Sequence, residues 1–171
     1  MNDKVCFTPI GYVYTSYSDE DVKRSFTGVD GYVEVLEEYS ECLKGLEGFS
    51  HIIVVAYLHN IPIGATEVKV VKPRRLLRLG LSTEELPEVG VFATDSPHRP
   101  NPIAISILEV VKIEGRRIHV KGLDLFNGTP ILDIKPYTIS RAIEKERLRF
   151  PFWYSDLLKK IEERASDVKE I

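Results

Sequence analysis

The sequence predicts a mainly β fold of the α+β kind, a curved or closed antiparallel β-barrel with a C-terminal helix. Three observations lead there. Short apolar runs rich in β-branched residues follow one another through residues 5–137 without regular helical crossovers, which argues against a doubly wound parallel sheet. Sustained helical spacing occurs only near the end, at Trp153, Leu157, Leu158 and Ile161. No G-x-G-x-x-G follows a strand and opens a helix, so the usual dinucleotide fold is not indicated.

The 171 residues suffice for one domain with a real core and a small appendage, which divides the chain into a barrel over 1–140 and a helical appendage over 141–171. A hydrophobic content of 43% and a charged content of 29% are ordinary for a soluble globular protein. The net charge of −3 excludes a protein that coats nucleic acid by bulk charge, so any such contact needs a local patch. Cys6 and Cys42 define neither a disulfide framework nor a metal knuckle and read as small buried apolar residues. The polar start MNDK lacks an apolar signal core, and no apolar run approaches a membrane span, so the expected location is cytoplasmic.

Val5–Tyr14 is rich in β-branched and aromatic residues and reads as a strand, with a bend or edge at Pro9-Ile10-Gly11. Thr15–Gly31 is polar and reads as a loop. Within it Lys23, Arg24, Ser25 and Phe26 put two cations beside an aromatic ring, either a phosphate or base contact or a solvated loop. Tyr32–Leu36 alternates as a strand, and Glu37–Gly45 is a short helix or turn stopped by Gly45. Phe49–His59 is the most apolar run and reads as a central strand, with His59-Asn60 at its exit. Strand exits are rigid places for ligand contacts, although His59 reads equally well as a surface histidine. Glu67–Lys72 reads as another strand.

Lys69, Lys72, Arg74, Arg75 and Arg78 have no acid among them. They form a candidate phosphate-binding patch or a solvated face balanced by acids elsewhere. Ser82–Glu85 resembles a capped turn. Ile103–Ile113 is a long strand whose apolar phase shifts near Leu108, which predicts a bulge or bend. Glu114-Gly115-Arg116 turns the chain into its partner, Arg117–Leu123. Asp124–Thr129 is a polar turn. Pro130–Tyr137 is a further strand with Asp133 and Lys135 on one face, and Phe152–Ala165 is the C-terminal helix.

The most informative stretch is Gly90–Ser106, GVFATDSPHRPNPIAIS. Pro97, Pro100 and Pro102 each fix their own φ and hold the preceding Ser96, Arg99 and Asn101 out of the helical region. The loop is stiff before any tertiary contact forms, so its polar groups are held at low entropic cost, as a binding site requires. A plain connector has little use for Ser, His, Arg and Asn between prolines. There is no P-loop, no G-x-S-x-G elbow and no helical histidine–carboxylate pairing among His51, His59, His98 and His119, so no metal is expected.

Gly90–Ser106 resembles the signature of the TrmO, or TsaA-like (YaeB-like), family of S-adenosylmethionine-dependent tRNA methyltransferases, which runs G-V-F-A-T-R-S-P-x-R-P-N-P-I-G-x-S. Other segments agree in order: Pro9-Ile10-Gly11, then Gly45–His51, His59, Leu123-Asp124-Leu125, Gly128-Thr129-Pro130 and Asp133–Tyr137. The resemblance covers residues 7–140. It implies a β-barrel methyltransferase that acts as a homodimer. The expected reaction is methylation of the exocyclic amine of the threonylcarbamoyl-modified adenosine next to the anticodon of tRNA. It assigns S-adenosyl-L-methionine to Arg24, Ser25, Phe26, His59, Asn60, Arg99, Asn101, Ser106, Ile107, Asp124, Leu125, Phe126 and Asn127. His98, Asp133 and Asp95 are the candidate catalytic groups, as acceptors of the amine proton. Three departures stand out. Asp95 takes the place of the family arginine, Ala104 replaces a glycine, and Arg24–Phe26 stand where the family has Pro-Arg-Gln. They admit two other readings, a non-catalytic S-adenosylmethionine- or RNA-binding module and a methyltransferase with a different acceptor. The basic run Lys69–Arg78 is the candidate tRNA dock.

Overall fold

The computed structural model describes residues 4–62 and 64–167. Two compact units make up the chain. One comprises the residues up to Ile61 together with Asn101–Arg141, and the other comprises Pro62–Pro100 together with the chain from Ala142 onward.

The first unit is a closed six-stranded antiparallel barrel. Its strands are β1 (Gly11–Tyr14), β2 (Val29–Val35), β3 (His51–Tyr57), β6 (Ile103–Glu114), β7 (Arg117–Leu123) and β8 (Pro130–Pro136), in the ring order β1-β2-β7-β6-β3-β8. Closure removes the unpaired edges of an open sheet. Alternation along each strand sends one set of side chains inward. Val13, Val33, Val35, Ile52, Val54, Ala56, Leu108, Ile118, Val120, Leu123 and Ile131 fill the interior as a continuous aliphatic core. The register of β6 against β7 shifts between Val110 and Lys112, two residues beyond the position the sequence suggests for the bulge.

Several expectations are corrected. Gly11–Tyr14 is the only part of Val5–Tyr14 in a strand. The polar segment Thr15–Gly31 contains a helix, α1 (Asp19–Arg24), and the start of β2. The helix forms because Ser18 and Asp21 make a reciprocal capping box and three acids occupy its first turn, opposite Lys23 and Arg24. It is too short to show apolar periodicity, which hides it from pattern reading. Cys6 and Cys42 are exposed rather than buried. Glu37–Leu43 is a 3-10 helix.

The second unit contains the two-residue strands β4 (Val70–Val71) and β5 (Val89–Gly90), a 3-10 helix over Arg74–Leu79, and α2 (Phe152–Asp167). The alternation in Glu67–Lys72 thus yields only a short ribbon, preceded by a 3-10 turn over Ala65–Glu67. Leu81, Leu86 and Leu157 are buried together, with Leu76, Leu77, Trp153 and Ile161 packed around them. Arg164 of α2 donates to the Gly80 carbonyl and lies 2.7 Å from the Glu85 carboxylate. The Ser82–Glu85 turn is capped as expected, the Ser82 N–H donating to Glu85 Oε2 at 2.8 Å. No helix among the described residues is long and apolar enough to cross a membrane.

Candidate functional site

Barrel register brings one set of chain segments to one rim. In an antiparallel ring the ends of β1, β3 and β7 lie beside the starts of β2, β6 and β8, as the pairings Tyr14↔Tyr32, Val29↔Leu123, Tyr57↔Ile103 and Ala56↔Ile131 record. This rim therefore carries the loop that holds Arg24, Ser25 and Phe26, the β3 exit with His59 and Asn60, the β6 entry at Asn101, and the turn Asp124–Asn127. The Leu58 N–H donates to the Pro102 carbonyl at 2.8 Å, so the β3 exit and the β6 entry are hydrogen-bonded to each other.

Below the rim, Ser106 is the polar exception on the inward face of β6. It is 4% exposed, and with Thr129 it is one of two buried polar residues among the described residues. A buried hydroxyl needs a partner, and Ser106 Oγ donates to Asp124 Oδ1 at 2.5 Å. The Asp124 residue itself is exposed. One carboxylate oxygen is thus fixed by the barrel wall while the group stands open at the rim, an arrangement suited to a cationic ligand. The rest of the turn is rigid. The Thr129 N–H donates to the Phe126 carbonyl, Asn127 Oδ1 accepts from the Thr15 N–H at 3.1 Å, and the Gly128 N–H donates to the Val13 carbonyl. Lys23 Nζ sits 5.3 Å from the Phe126 ring centroid, so α1 reaches the same turn.

Close backbone approach holds the rim together. Gly28 has φ +77°, and a Cβ there would lie 2.2 Å from the Gly122 carbonyl carbon. Only glycine lets β2 and β7 meet at this point. Ser25 Oγ donates to the Gly28 carbonyl at 2.7 Å. Arg24 is exposed in an ion pair with Glu20, and Phe26 is exposed. The Ile107 side chain points away from the interior, so any contact from this residue to a rim ligand is through its main chain.

Asp133 lies elsewhere. Its side chain is on the outer wall of β8, 2.5 Å from Lys135, and it borders a cleft of about 380 Å³ with Tyr39, Cys42 and Leu46. The same-face ion pair expected from the spacing is therefore present, between two half-exposed side chains.

The second unit holds the remaining site residues. Thr94 organises the loop: its Oγ1 donates to the Val91 carbonyl and accepts from the Ser96 N–H, while its own carbonyl accepts from Arg99 Nη1 at 3.2 Å. Asp95 and His98 are exposed. In the basic run, Lys72 Nζ donates to the Thr83 carbonyl, and Arg74, Arg75 and Arg78 are exposed on the 3-10 helix whose Leu76 and Leu77 pack inward. Ala104 needs no special backbone, since no described non-glycine residue has positive φ. No group of three or more His, Cys, Asp or Glu among the described residues is arranged to hold a metal ion.

The model of the tRNA-methyltransferase O N-terminal domain matches residues 21–141, well over half of the chain. This chain belongs to the TrmO family. It is 35% identical over 167 residues to a probable S-adenosyl-L-methionine-binding protein of Pyrococcus abyssi, covering 95% of this chain and 83% of that one. It is 33% identical over 137 residues to the tRNA (adenine(37)-N6)-methyltransferase of Homo sapiens, covering 75% of this chain and 29% of that protein. A crystal structure of TrmO superposes with a TM-score of 0.65 at 28% identity, over 86% of this chain and 64% of that one. The barrel and the C-terminal helix are as the sequence predicts. The chain thus spans most of its archaeal relative, just under two thirds of the TrmO structure and under a third of the human enzyme.

Proposed function

We propose that this chain is an S-adenosylmethionine-dependent tRNA methyltransferase whose acceptor is the exocyclic amine of the threonylcarbamoyl-modified adenosine next to the anticodon. The observation that supports the reading is the buried Ser106 hydroxyl holding the exposed Asp124 carboxylate at a rim that also carries His59, Asn60 and Asn101. The donor set fits the cofactor: an open carboxylate for a cationic group, an adjacent rigid turn, and polar His59, Asn60 and Asn101 on the neighbouring segments. S-Adenosylmethionine, when bound, supplies a methyl group already activated for transfer.

The chain's own task is alignment and exclusion of water, and positioning alone supplies much of the acceleration. Asp124 holds positive charge at the rim, and Arg99, restrained by the Thr94 carbonyl, offers bidentate contact to a carboxylate or phosphate. An adenine amine is a weak nucleophile because its lone pair is delocalised, so a proton acceptor nearby assists. Of the three candidates, Asp95 and His98 are exposed on the signature loop, while Asp133 pairs with Lys135 on the outer wall of β8.

Three further assignments belong to the same proposal. Arg74, Arg75 and Arg78 dock the phosphate backbone. The protein works as a homodimer, supported by the exposed outer wall of Ile105, Ile107 and Tyr57 on adjacent strands. It acts in the cytoplasm. The test of the site is cofactor binding by calorimetry: Ser106→Ala and Asp124→Asn each weaken it about tenfold or more with little change in melting temperature, since a charge-assisted contact is lost. Unchanged affinity in both variants removes the rim assignment.

A further inference from the structure

A cleft of about 730 Å³ lies on the outer wall of the barrel, over β1, β2, β7 and the far end of β6, lined by Tyr14, Tyr17, Tyr32, Lys112, His119 and Lys121, with Asp30 as its acid. Its floor follows from register. Tyr14 pairs with Tyr32, Tyr32 with His119, and His119 with Lys112. Period-two alternation therefore lays the four side chains in one outward row. The Tyr14 and Tyr32 rings stack at 5.1 Å with planes 12° apart, and His119 tilts against Tyr32 at 5.5 Å. The Arg117 guanidinium sits 5.2 Å from the Tyr32 centroid.

Cross-strand aromatic pairs stabilise a sheet whatever its function. Sheet stability does not require the row to end on an open ring among cations. Tyr32 already carries Tyr14 and Arg117. Among the described residues Tyr14 has this one ring neighbour; it is 36% exposed, and Tyr17 on the same cleft is 45% exposed. Lys112 is 2.8 Å from Glu114, whose other oxygen lies 3.1 Å from His119 Nε2, while Lys121 has no ion pair among the described residues. The cleft also runs into the rim. Thr15 and Asn127 both line it, and the bond between them joins it to the Asp124–Asn127 turn.

We infer that this cleft is a stacking platform for an unpaired nucleobase of an RNA strand, the base lying on Tyr14 and its adjoining phosphate meeting Lys121. The choice of RNA rests on the methyltransferase reading above. Every base has a π-face, so such a platform is sequence-tolerant, and cations beside it track the backbone. The volume suits one nucleotide. Continuity with the rim places the bound base beside the acceptor position, where a splayed loop strand has to be held.

The test is fluorescence anisotropy with a short fluorescein-labelled oligoadenylate and the full chain, across a salt series. Tyr14→Leu weakens binding roughly tenfold or more at every salt concentration. Tyr14→Phe, which keeps the ring, retains wild-type affinity. Lys121→Ala, an exposed site that does not endanger folding, lowers the salt slope by about one. No binding by the wild type, or the same affinity in Tyr14→Leu, overturns the platform. Cofactor calorimetry separates the two readings. A chain that binds cofactor and methylates tRNA yet ignores the loss of the Tyr14 ring contradicts the platform alone. A wild type that stacks the oligonucleotide and binds no cofactor contradicts the methyltransferase reading alone.

Discussion

The two units hold their functional groups by different means. The barrel closes every backbone edge and packs aliphatic side chains from all six strands into one interior, so Ser106 and Asp124 are fixed by the fold as a whole. The second unit has a two-residue ribbon and three buried leucines. Its signature loop is held by neighbouring residues instead, Arg99 by the Thr94 carbonyl and Thr94 by Val91, while Arg164 ties α2 to Gly80 and Glu85. The signature divides between them, Gly90–Pro100 in the small unit and Asn101–Ser106 in the barrel. A cofactor position needs sub-ångström constancy and suits the first kind of support. A loop that has to meet a large RNA tolerates the second.

Core truncation gives the sharpest contrast. Leu108→Ala in the barrel costs about 3–4 kcal/mol in urea unfolding, and Leu157→Ala costs about 2 kcal/mol, because a small cluster collapses more readily around a lost side chain. Hydrogen exchange after Leu157→Ala loses protection in the second unit while the barrel amides keep theirs. Equal loss in both units would show that the two share one cooperative core.

A rim glycine probes the barrel in another way. Gly28→Ala meets the Gly122 backbone and an unfavourable φ, and costs about 3 kcal/mol, visible as a lower urea midpoint. A neutral result would mean that β2 and β7 separate there without penalty.

The basic run is expected to matter for binding and not for folding. Charge reversal of Arg74 and Arg75 leaves the melting temperature within a few degrees and lowers the salt slope of tRNA binding by about two. An unchanged slope removes the dock.

The smallest effect is one of pH. The Ser82 backbone N–H, and after it the Arg164 guanidinium, hold the Glu85 carboxyl down from 4.5 to about 2. A carboxyl depressed in the folded state stabilises above its ordinary value, and that contribution is lost as pH falls from about 4.5 toward 2. Acid melts of Glu85→Gln are therefore flatter than wild type over that window. Parallel curves would show that the contact does not survive in solution.

The sequence was most legible where chain patterns and chemistry coincide. β-Branched alternation marked the barrel strands, and prolines between polar residues marked Gly90–Ser106 before any fold was in hand. Asp133 and Lys135, two apart on a strand, announced their own ion pair. Less legible was whatever depends on distant partners. Ser106 and Asp124 were each named, but their bond joins β6 to the turn after β7, and no local spacing reports it. The six-residue helix α1 rests on a capping box in a polar segment, too short for an apolar period. The row Tyr14–Tyr32–His119 joins three strands, so only the barrel register reveals it. Cys42 was misread because small size alone does not bury a residue on a surface 3-10 helix.

The most direct measurement is methyl transfer from labelled S-adenosylmethionine to bulk tRNA, with and without prior threonylcarbamoylation, by wild type and Asp124→Asn. The expected result is label in the modified adenosine of threonylcarbamoylated tRNA only, reduced at least tenfold in Asp124→Asn. Intact cofactor binding without any incorporation into tRNA would contradict the proposed activity and point to a binding module or a different acceptor.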